Sequence, residues 1–388
     1  MSQKGHKPKR IGIDARLYGP IGKGLGRYTQ EIVDNILKMD DTNEYVVFLS
    51  RDNFDEFHPG ERKVKKVLAD VRWYTVKEQV VMPFLIAKER LDLIHFPHFN
   101  VPLFTPAKFV VTIHDLILTK FPTIRASTWG PFFYKFKHWA YKIVIRTAVK
   151  RAKKIIAVSE FTKKDIVKQF GVTPRKIEVT YEGVANLAKG RDSLFVSKLD
   201  DTETLLSYNI KGEFFLYVGN AYPHKNLEGL VEAFAEFHAR HPESNLVLVG
   251  KEDHFYARLK EFVNNFSPDL PVIFPGYVPD NKLEILYQQA WAYVFPSLYE
   301  GFGLPPLEAM AKGCPVVSSK RSSMPEILGE AAVYFDPEDK NDLVARLVEI
   351  KNDPGLREKL IKKGKKRVRQ FSWWECARQT LDIYNHVQ

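Results

Sequence analysis

The sequence predicts an α/β protein with two doubly wound domains, each built on a parallel sheet. Short apolar runs rich in β-branched residues, such as EYVVFL at 44–49 and KFVVTIHD at 108–115, alternate with helical patterns. The runs are almost continuously apolar, as strands are when both faces of a parallel sheet are covered. The alternation stops in a polar stretch at 185–212 and then starts again. Two such domains therefore follow each other along the chain.

The predicted strands of the first half lie at 10–15, 44–49, 92–97, 108–115, 154–159 and 176–181, with helices at 26–39 and 159–170. Those of the second half lie at 213–219, 245–250, 271–276, 291–297, 314–319 and 331–336, with a helix at 225–239. We therefore expect an N-terminal domain at 1–190, a linker region at 191–212 and a C-terminal domain at 213–372. Because ligands bind beyond the carboxyl ends of parallel strands, two facing sheets would form an interdomain cleft.

Composition and cysteine content are those of an intracellular globular protein. Apolar residues make up 45% and charged residues 27% of the 388 residues, enough for two cores. Cys314 and Cys376 are too few and too far apart for a disulfide framework. Asp14 and Arg16 follow the basic start where a signal peptide would be apolar, and no apolar run is long enough to span a bilayer. We therefore expect a cytoplasmic protein.

The net charge of +11 is concentrated in one part of the chain. Residues 101–200 contain 19 lysines and arginines against 7 acidic residues. A field of one sign attracts anionic partners, such as phosphates, an acidic membrane or nucleic acid. A surface charge that only keeps the protein in solution is the alternative. Nucleic acid is not an expected partner, because the usual signatures of nucleic-acid-binding domains are missing from the sequence.

The stretch YEGFGLPPLEAMAKG at 299–313 places two carboxylates beside a glycine loop that opens a helix. Gly301 and Gly303 let backbone amides approach a ligand, and the following prolines suit the first turn of a helix. Such amides and the helix dipole favour an anion, for example a diphosphate. Glu300 and Glu308 would repel that anion but would accept hydrogen bonds from hydroxyls on either side of it. The pattern fits ribose, diphosphate and sugar, with a helix cap and a loop charge as the alternative.

Three further features follow predicted strands. Lys225, in GNAYPHKN, is a cation placed for a phosphate. The loop GPIGKGLGR carries Gly22, Gly24 and Gly26, which allows amides to crowd a phosphate but is not a full dinucleotide fingerprint. His114 lies at the end of KFVVTIHD, where it would contact a sugar hydroxyl or assist proton movement. Each of these features also has a purely structural interpretation.

Aromatic and basic residues are mixed in the segment 127–154. Trp129, Phe132 and Phe133 stand near Lys135 and Lys137. This composition is typical of interfacial helices that bind acidic lipid. An amphipathic helix packed on the first sheet is the alternative, and both interpretations hold if only 129–136 is exposed.

The sequence shows no spacing typical of a metal site, since Asp-x-Asp, HExxH and paired CxxC are absent. We therefore expect no metal or other cofactor. A bound diphosphate would be neutralised by Lys225, backbone amides and helix dipoles.

Taken in chain order, these motifs resemble those of the family 4 retaining glycosyltransferases of GT-B fold, such as phosphatidylinositol mannosyltransferases and bacterial O-antigen mannosyltransferases. The resemblance covers nearly the whole chain. It rests on the glycine loop 22–26, HDL at 114–116, AVSEFT at 157–162, VGNAYPHKN at 218–226 and EGFGLPPLE at 300–308. It implies two Rossmann-like domains facing a cleft, with the last helix, about 373–388, returning to the first domain.

The resemblance also implies roles by position. Glu308 would hold the donor ribose. Glu300 and His114 would be the catalytic residues, the first on a hydroxyl of the donor sugar and the second near its reacting carbon. Tyr277 and Val278 would line the base pocket. The other donor-binding positions would be Gly24, Gly26, Asn220, Lys225, Gly301, Phe302, Gly303 and Leu304.

One departure from the family pattern is Asn220, where many members carry an arginine that helps to bind the diphosphate. Arg27 is a candidate substitute for contact with the phosphate or the acceptor. The motifs HDLI and HKN lean toward the mannosyl branch and hence toward GDP-mannose, with UDP-glucose and UDP-N-acetylglucosamine left open. The basic first domain suggests an anionic glycolipid or glycan acceptor. A nucleotide-sugar epimerase and a non-catalytic nucleotide- or membrane-binding module are the competing hypotheses.

Overall fold

The computed structural model describes residues 7–60, 64–121, 131–184 and 198–387. The chain divides into two compact units, each with its own sheet. The N-terminal unit comprises Met1–Gly183 and Ser372–Gln388, and the C-terminal unit comprises Val184–Phe371.

The N-terminal unit is built on a parallel sheet in the order β3-β2-β1-β4-β5-β6-β7. Its strands are β1 (Arg10–Asp14), β2 (Glu44–Leu49), β3 (Val64–Leu68), β4 (Leu93–Phe96), β5 (Phe109–Ile113), β6 (Lys154–Ala157) and β7 (Ile177–Val179). The central strands β4 and β5 are buried along their whole length. This burial explains their continuous apolar character.

The helices that connect these strands are α1 (Lys23–Met39), α2 (Arg51–Phe54), α3 (Val76–Lys88), α4 (Ile117–Lys120), α5 (Pro131–Arg151) and α6 (Glu160–Phe170). Local sequence sets several of their ends. The hydroxyl of Ser159 accepts a hydrogen bond from the amide of Thr162 at the start of α6. That helix ends at Gly171, whose φ of +66° a glycine adopts without strain.

The C-terminal unit repeats this plan with a parallel sheet in the order β10-β9-β8-β11-β12-β13. Its strands are β8 (Phe214–Val218), β9 (Asn245–Val249), β10 (Val272–Gly276), β11 (Ala292–Phe295), β12 (Val316–Ser319) and β13 (Ala332–Phe335). Its helices are α7 (Lys198–Ser207), α8 (Leu227–His238), α9 (His254–Phe266), α10 (Asp280–Gln289), α11 (Leu304–Ala311), α12 (Met324–Leu328), α13 (Lys340–Asn352) and α14 (Pro354–Val368). Helix α7 lies within the stretch that the sequence predicted as a linker.

Two predictions from the sequence are wrong in detail. Strand β3 was not predicted, because Lys65 and Lys66 interrupt its apolar pattern. It pairs only with β2 at the edge of the sheet, where charged residues are tolerated. Helix α1 begins at Lys23, three residues before the predicted start, so Gly24 and Gly26 lie in its first turn rather than in a loop.

The last helix, α15 (Trp373–His386), belongs to the N-terminal unit. Its start packs tightly on the end of the first segment, since a Cβ on Gly183 would lie 2.2 Å from the amide nitrogen of Trp373. At its other end, Lys9 Nζ donates to the carbonyl oxygens of Tyr384, Asn385 and Val387 at 2.8, 3.0 and 2.8 Å. The lysine thereby satisfies carbonyl groups that have no partner within the helix.

Candidate active site

The strand order of the C-terminal sheet reverses between β8 and β11. Loops that leave the carboxyl ends of two such strands diverge and form a crevice for a ligand. Here the loop after β8 carries Lys225, and the loop after β11 carries Glu300. The amide of Leu298 donates to the carbonyl oxygen of His224 at 2.8 Å, which holds the two loops side by side.

Lys225 and Glu300 form an ion pair across these loops. Lys225 Nζ lies 2.5 Å from Glu300 Oε1, and each side chain is only 11% exposed. Lys225 ends a 3-10 turn that begins at Pro223, and its Nζ also lies 5.2 Å from the ring centroid of Phe295. The backbone of Glu300 is fixed by the hydroxyl of Ser322, which accepts from the Glu300 amide at 2.9 Å. Two residues predicted to contact different parts of a ligand are thus also partners of each other.

The start of α11 is shaped by Gly303. Its φ of +105° strains any residue with a side chain, and a Cβ there would also displace the end of the Met324 side chain, 2.3 Å away. Among the residues that the structure describes, no side chain caps this helix. Because Pro305 and Pro306 have no N–H, the run of backbone amides that leads into the helix ends at Leu304. The predicted helix start, with its two prolines in the first turn, is confirmed.

Two buried tyrosines of the C-terminal unit hold the loop after β8 in place through hydrogen bonds. Tyr217 donates to the carbonyl oxygen of Asn220 at 2.7 Å, and Tyr256 donates to that of Gly219 at 2.9 Å. Burial raises the pKa of Tyr217 and, with the nearby charge of Asp253, that of Tyr256, so both hydroxyls stay protonated as donors. Neither tyrosine was identified from the sequence motifs.

Asn220 itself is exposed, and its Oδ1 accepts from the amide of Tyr222 at 3.4 Å. It therefore closes a turn and contributes no positive charge. At the end of β10, Tyr277 is 73% exposed and Val278 is 3% exposed. Strand β10 is separated from β8 by β9, so these two positions lie farther along the sheet edge than Lys225 and Glu300.

Glu308 lies on α11, half-buried, one turn after Leu304. Beside it is Tyr287 of α10, whose buried hydroxyl has no hydrogen-bond partner among the described residues. Burial, followed by the negative charge of Glu308, raises the pKa of Tyr287 well above its ordinary value. Tyr287 is a third residue that the sequence motifs did not identify.

In the N-terminal unit, packing in the first turn of α1 explains Gly26 without a ligand. A Cβ on Gly26 would lie 2.1 Å from the carbonyl oxygen of Gly19 and 2.6 Å from that of Leu17. Gly24 faces open space, with no atom within 4 Å of a Cβ. Arg27 follows on the same turn and is half-buried. The packing thus requires glycine at 26 but not at 24.

His114 is held from both sides of its ring. Its Nδ1 lies 3.0 Å from Glu182 Oε1, and its Nε2 lies 2.9 Å from the carbonyl oxygen of Pro97. Both partners accept hydrogen bonds, Glu182 through its carboxylate and Pro97 through its carbonyl oxygen, so this arrangement favours the doubly protonated imidazolium form of the ring. Burial lowers the pKa of His114, but the hydrogen bond and charge of Glu182 outweigh it, and the net shift is upward. Tyr28 packs edge-on against the ring at 4.5 Å between centroids.

Glu182 is a fourth residue that the sequence motifs did not identify. It follows β7 in the stretch YEGV and is 6% exposed. An acidic residue directly after the predicted strand 176–181 was the available signal, because a carboxylate that becomes buried requires a partner.

The predicted membrane-binding residues cannot be placed. Trp129 lies outside the described residues, and so do the side chains of Phe132, Phe133, Lys135 and Lys137 on α5. Farther along α5, Ile145 and Val149 are buried in the core of the sheet, while Trp139 is 60% exposed. Throughout the described ranges, no helix has the length and apolarity needed to cross a bilayer.

Within the parts of the chain that the structure describes, no three His, Cys, Asp or Glu side chains are grouped so that they could hold a metal ion. The positive charge near the candidate site comes instead from Lys225 and from backbone amides at the start of α11.

Comparison with known proteins agrees with this architecture. Residues 22–185 match the family model described as Glycosyltransferase Family 4, and residues 206–367 match the model described as Glycosyl transferases group 1. The chain is 29% identical to the O-antigen chain mannosyltransferase B of Escherichia coli, over 93% of this chain and 95% of that protein. It is 28% identical to the O-antigen chain mannosyltransferase RfbU of Salmonella typhimurium, over 73% and 71% of the two chains.

Among solved structures, the Anabaena protein HepE in complex with UDP-glucose matches with a TM-score of 0.72. The match has 17% identity and covers 97% of this chain and 99% of that one. The predicted two-domain α/β fold and the predicted family are both confirmed. The chain belongs to the family 4 glycosyltransferases of GT-B fold and is mannosyltransferase-like.

Proposed function

We propose that this glycosyltransferase moves a mannosyl residue from GDP-mannose to a hydroxyl of a glycan or lipid-linked acceptor, with retention of configuration. The observation that carries the proposal lies at the carboxyl ends of β8 and β11, where the buried Lys225–Glu300 pair adjoins the glycine-containing start of α11. The names of two similar proteins, both O-antigen mannosyltransferases, support the mannosyl donor. UDP-glucose, bound by HepE, represents the alternative donor class.

The start of α11 suits the diphosphate of the donor. The amides of Gly301, Phe302, Gly303 and Leu304 precede two prolines, and the helix dipole adds a partial positive charge. Lys225 uses one N–H on Glu300 and has two more for phosphate oxygens. A lysine already held in position needs little further ordering when the phosphate arrives.

The glutamates suit the two hydroxyl-bearing ends of the donor. Glu300 contacts Lys225 through Oε1, so its second oxygen is placed to accept from a hydroxyl of the donor sugar. Glu308, one turn into α11, is assigned to the ribose hydroxyls. Tyr277, exposed at the end of β10, is assigned to the base together with the backbone of Val278.

The proposed chemistry relies on the donor's own diphosphate. The bond between the sugar and the phosphate breaks toward an oxocarbenium-like state, and the departing diphosphate is stabilised by amides and Lys225. The acceptor hydroxyl attacks from the same face, and a phosphate oxygen takes its proton. His114 is not proposed as the general base, because both of its ring nitrogens are already engaged, one with Glu182 and the other with Pro97. The role left to it is electrostatic.

We further propose that catalysis needs no metal ion, since Lys225 and the helix start supply the positive charge that the diphosphate requires. The protein is proposed to work in the cytoplasm, with contact to acidic membrane through the basic 101–200 region. A lipid-linked acceptor would explain such contact, and flotation with liposomes that contain or lack acidic lipid tests it.

The experiment that tests the proposed function combines binding and turnover. Thermal stability is measured with GDP, UDP, GDP-mannose and UDP-glucose, because a ligand that prefers the folded state raises the melting temperature. We expect the largest increase with the guanine nucleotides. Release of GDP from GDP-mannose is then followed with and without acceptor extract, in the presence and absence of EDTA, and EDTA should change nothing.

Each competing hypothesis has its own outcome. An epimer of the donor formed without acceptor would identify an epimerase. Binding without turnover of any nucleotide sugar would identify a non-catalytic module. A larger stabilisation by UDP-glucose would move the donor assignment to the uridine class and leave the fold and the diphosphate site as argued.

A further inference from the structure

A hydrogen-bonded core network of buried side chains runs from the surroundings of His114 to α15. Thr112 Oγ1 lies 3.1 Å from the hydroxyl oxygen of Tyr28 and 2.8 Å from His95 Nε2. His95 Nδ1 in turn lies 2.6 Å from the hydroxyl oxygen of Tyr384. Each of these four residues is 0% exposed. The core network therefore joins α1, β5, β4 and α15 inside the N-terminal unit.

Tyr28 brings this core network into contact with His114. Thr112 precedes His114 by two residues along β5, and side chains two residues apart in a strand point to the same face of the sheet. Tyr28 contacts both of them. Its hydroxyl meets Thr112, and its ring lies perpendicular to the His114 ring at 4.5 Å between centroids. The hydrogen bond with Thr112 thus holds the aromatic ring that packs on His114.

The start of α15 lies against the other support of His114. Trp373 packs on Gly183, next to Glu182, which hydrogen-bonds to the imidazole of His114. The Trp373 ring also lies 6.0 Å from that of Tyr28. Helix α15 therefore reaches the supports of His114 twice, by packing at its start and through the core network near its end.

The core network specifies an orientation, which apolar packing at the same place would not do. Burial, followed by the charge of His114, lowers the pKa of His95 to about 3, so its ring is neutral. One ring nitrogen then donates and the other accepts, which gives the whole row of hydrogen bonds a single direction. Apolar side chains of the same shape would cost little stability, but they would leave the ring of Tyr28 free to tilt.

We propose that Tyr28 is a positioning residue that fixes the ring of His114. Thr112, His95 and Tyr384 anchor Tyr28 to α15. The proposal rests on the proposed function, in which His114 acts electrostatically on the donor sugar, and it adds fully buried residues on which the rate of transfer depends. Because these residues act through the orientation of His114, they affect turnover and leave donor binding unaltered.

The first test uses matched variants at the middle of the core network. Thr112→Val removes the hydroxyl with little change of shape, whereas Thr112→Ser keeps the hydroxyl and loses only a methyl group. Release of GDP from GDP-mannose is followed with acceptor extract at varied donor concentration. We expect Thr112→Val to lower the turnover number roughly tenfold and to keep the KM for GDP-mannose within about twofold, because a misplaced group slows the reaction without weakening binding. Thr112→Ser should restore turnover to within about twofold of the wild type.

The second test breaks the core network at its far end. Tyr384→Phe removes that hydroxyl and keeps the ring. Tyr45→Phe is the control, since Tyr45 is a buried tyrosine of the same unit whose hydroxyl donates to Asp40 at 2.5 Å. In a double-mutant cycle with His114→Asn, Tyr384→Phe should slow the reaction only while His114 is present. Equal losses in both backgrounds would overturn the proposal, because a general loosening of the unit acts without that ring.

The histidine rings provide a readout that needs no turnover. Proton–nitrogen correlation spectra identify the signals of His114 by their absence in His114→Asn. These signals should shift in Thr112→Val and Tyr384→Phe and stay in place in Thr112→Ser and Tyr45→Phe. Should Thr112→Val fail to fold, Tyr384→Phe decides alone. Unchanged His114 signals in the folded variants of the core network would overturn the proposal.

Failure of this proposal and failure of the proposed function are distinguishable. If no nucleotide sugar is bound or turned over, the proposed function fails, and the ring signals still decide whether the core network positions His114. If GDP-mannose is turned over and the variants of the core network keep the wild-type turnover number, only the role assigned to the core network fails.

Discussion

Lys225 and Glu300 are 75 residues apart in the chain, yet their charged groups meet at 2.5 Å with each side chain only 11% exposed. The same chain contains an exposed pair of the same chemistry. Lys260 Nζ also lies 2.5 Å from Glu252 Oε1, but those side chains are 35% and 60% exposed. The two pairs differ mainly in burial, so they allow matched experiments.

The first prediction concerns stability. Glu300→Ala leaves the Lys225 charge buried without a partner and should lower the free energy of unfolding by about 3 kcal/mol, the lower end of the range for breaking a buried pair. Glu252→Ala should change it by less than about 0.5 kcal/mol, because exposed pairs contribute little. Urea unfolding of both variants measures the difference. Equal effects would show that the Lys225–Glu300 pair is not held in a low-dielectric environment.

The second prediction concerns the donor. Lys225→Ala should weaken GDP-mannose binding at least about tenfold, which corresponds to the loss of one charge-assisted hydrogen bond. Lys260→Ala removes an equal charge from the surface of the same unit and should leave binding unchanged. Isothermal titration calorimetry provides both dissociation constants. If both variants bind like the wild type, Lys225 has no part in holding the diphosphate.

The third prediction concerns pH. The folded-state pKa of His114 is raised, so the stability it contributes is complete below its unfolded pKa, ~6.5, and is lost as pH rises through the folded value. Burial lowers the pKa of His95, His98 and His224, so these residues cost stability only at lower pH. Of these four histidines, His114 is therefore the one that should make stability decline above pH ~6.5.

Glu182→Gln should lower the pKa of His114 and flatten that decline, because it removes the charge that favours the imidazolium. Glu178→Gln is the control, since Glu178 of β7 is 47% exposed and pairs with Lys154 of the neighbouring strand β6. NMR titration of the His114 ring and unfolding between pH 5 and 9 give the two readouts. A His114 pKa that is the same in wild type and Glu182→Gln would contradict the assignment.

The fourth prediction concerns the glycines of α1. Gly26→Ala places a Cβ against two backbone carbonyl oxygens and should destabilise the N-terminal unit by more than about 2 kcal/mol. Gly24→Ala has open space in a helix and should stabilise it by roughly 0.5–1 kcal/mol. Thermal unfolding compares them. If Gly24→Ala is as stable as expected but weakens GDP-mannose binding, that glycine approaches the ligand, as the sequence motif suggested.

Much of this fold could be predicted because the strands are buried on both faces and therefore read as continuous apolar runs. Strand β3 could not, since an edge strand with Lys65 and Lys66 has no such pattern. The start of α1 was placed too late because its glycines resemble those of a phosphate loop. Gly26 is in fact required by the carbonyl oxygens of Leu17 and Gly19, which only the folded backbone brings near.

The sequence predicted individual residues of the candidate site but not the contacts between them. Local patterns identified Lys225, Glu300 and the start of α11. They could not show that Lys225 and Glu300 bind each other, or that Glu182, 68 residues along the chain, hydrogen-bonds to His114 and raises its pKa. Such pairs depend on which strand ends are neighbours in the sheet, and the strand order cannot be deduced from any short stretch of the sequence.

The most direct test is a crystal structure of the protein with GDP-mannose or its unreactive analogue. We predict diphosphate oxygens within hydrogen-bond distance of the amides of residues 302–304 and of Lys225 Nζ, with the ribose on Glu308. A nucleotide bound elsewhere, with no contact to residues 300–308, would contradict the account.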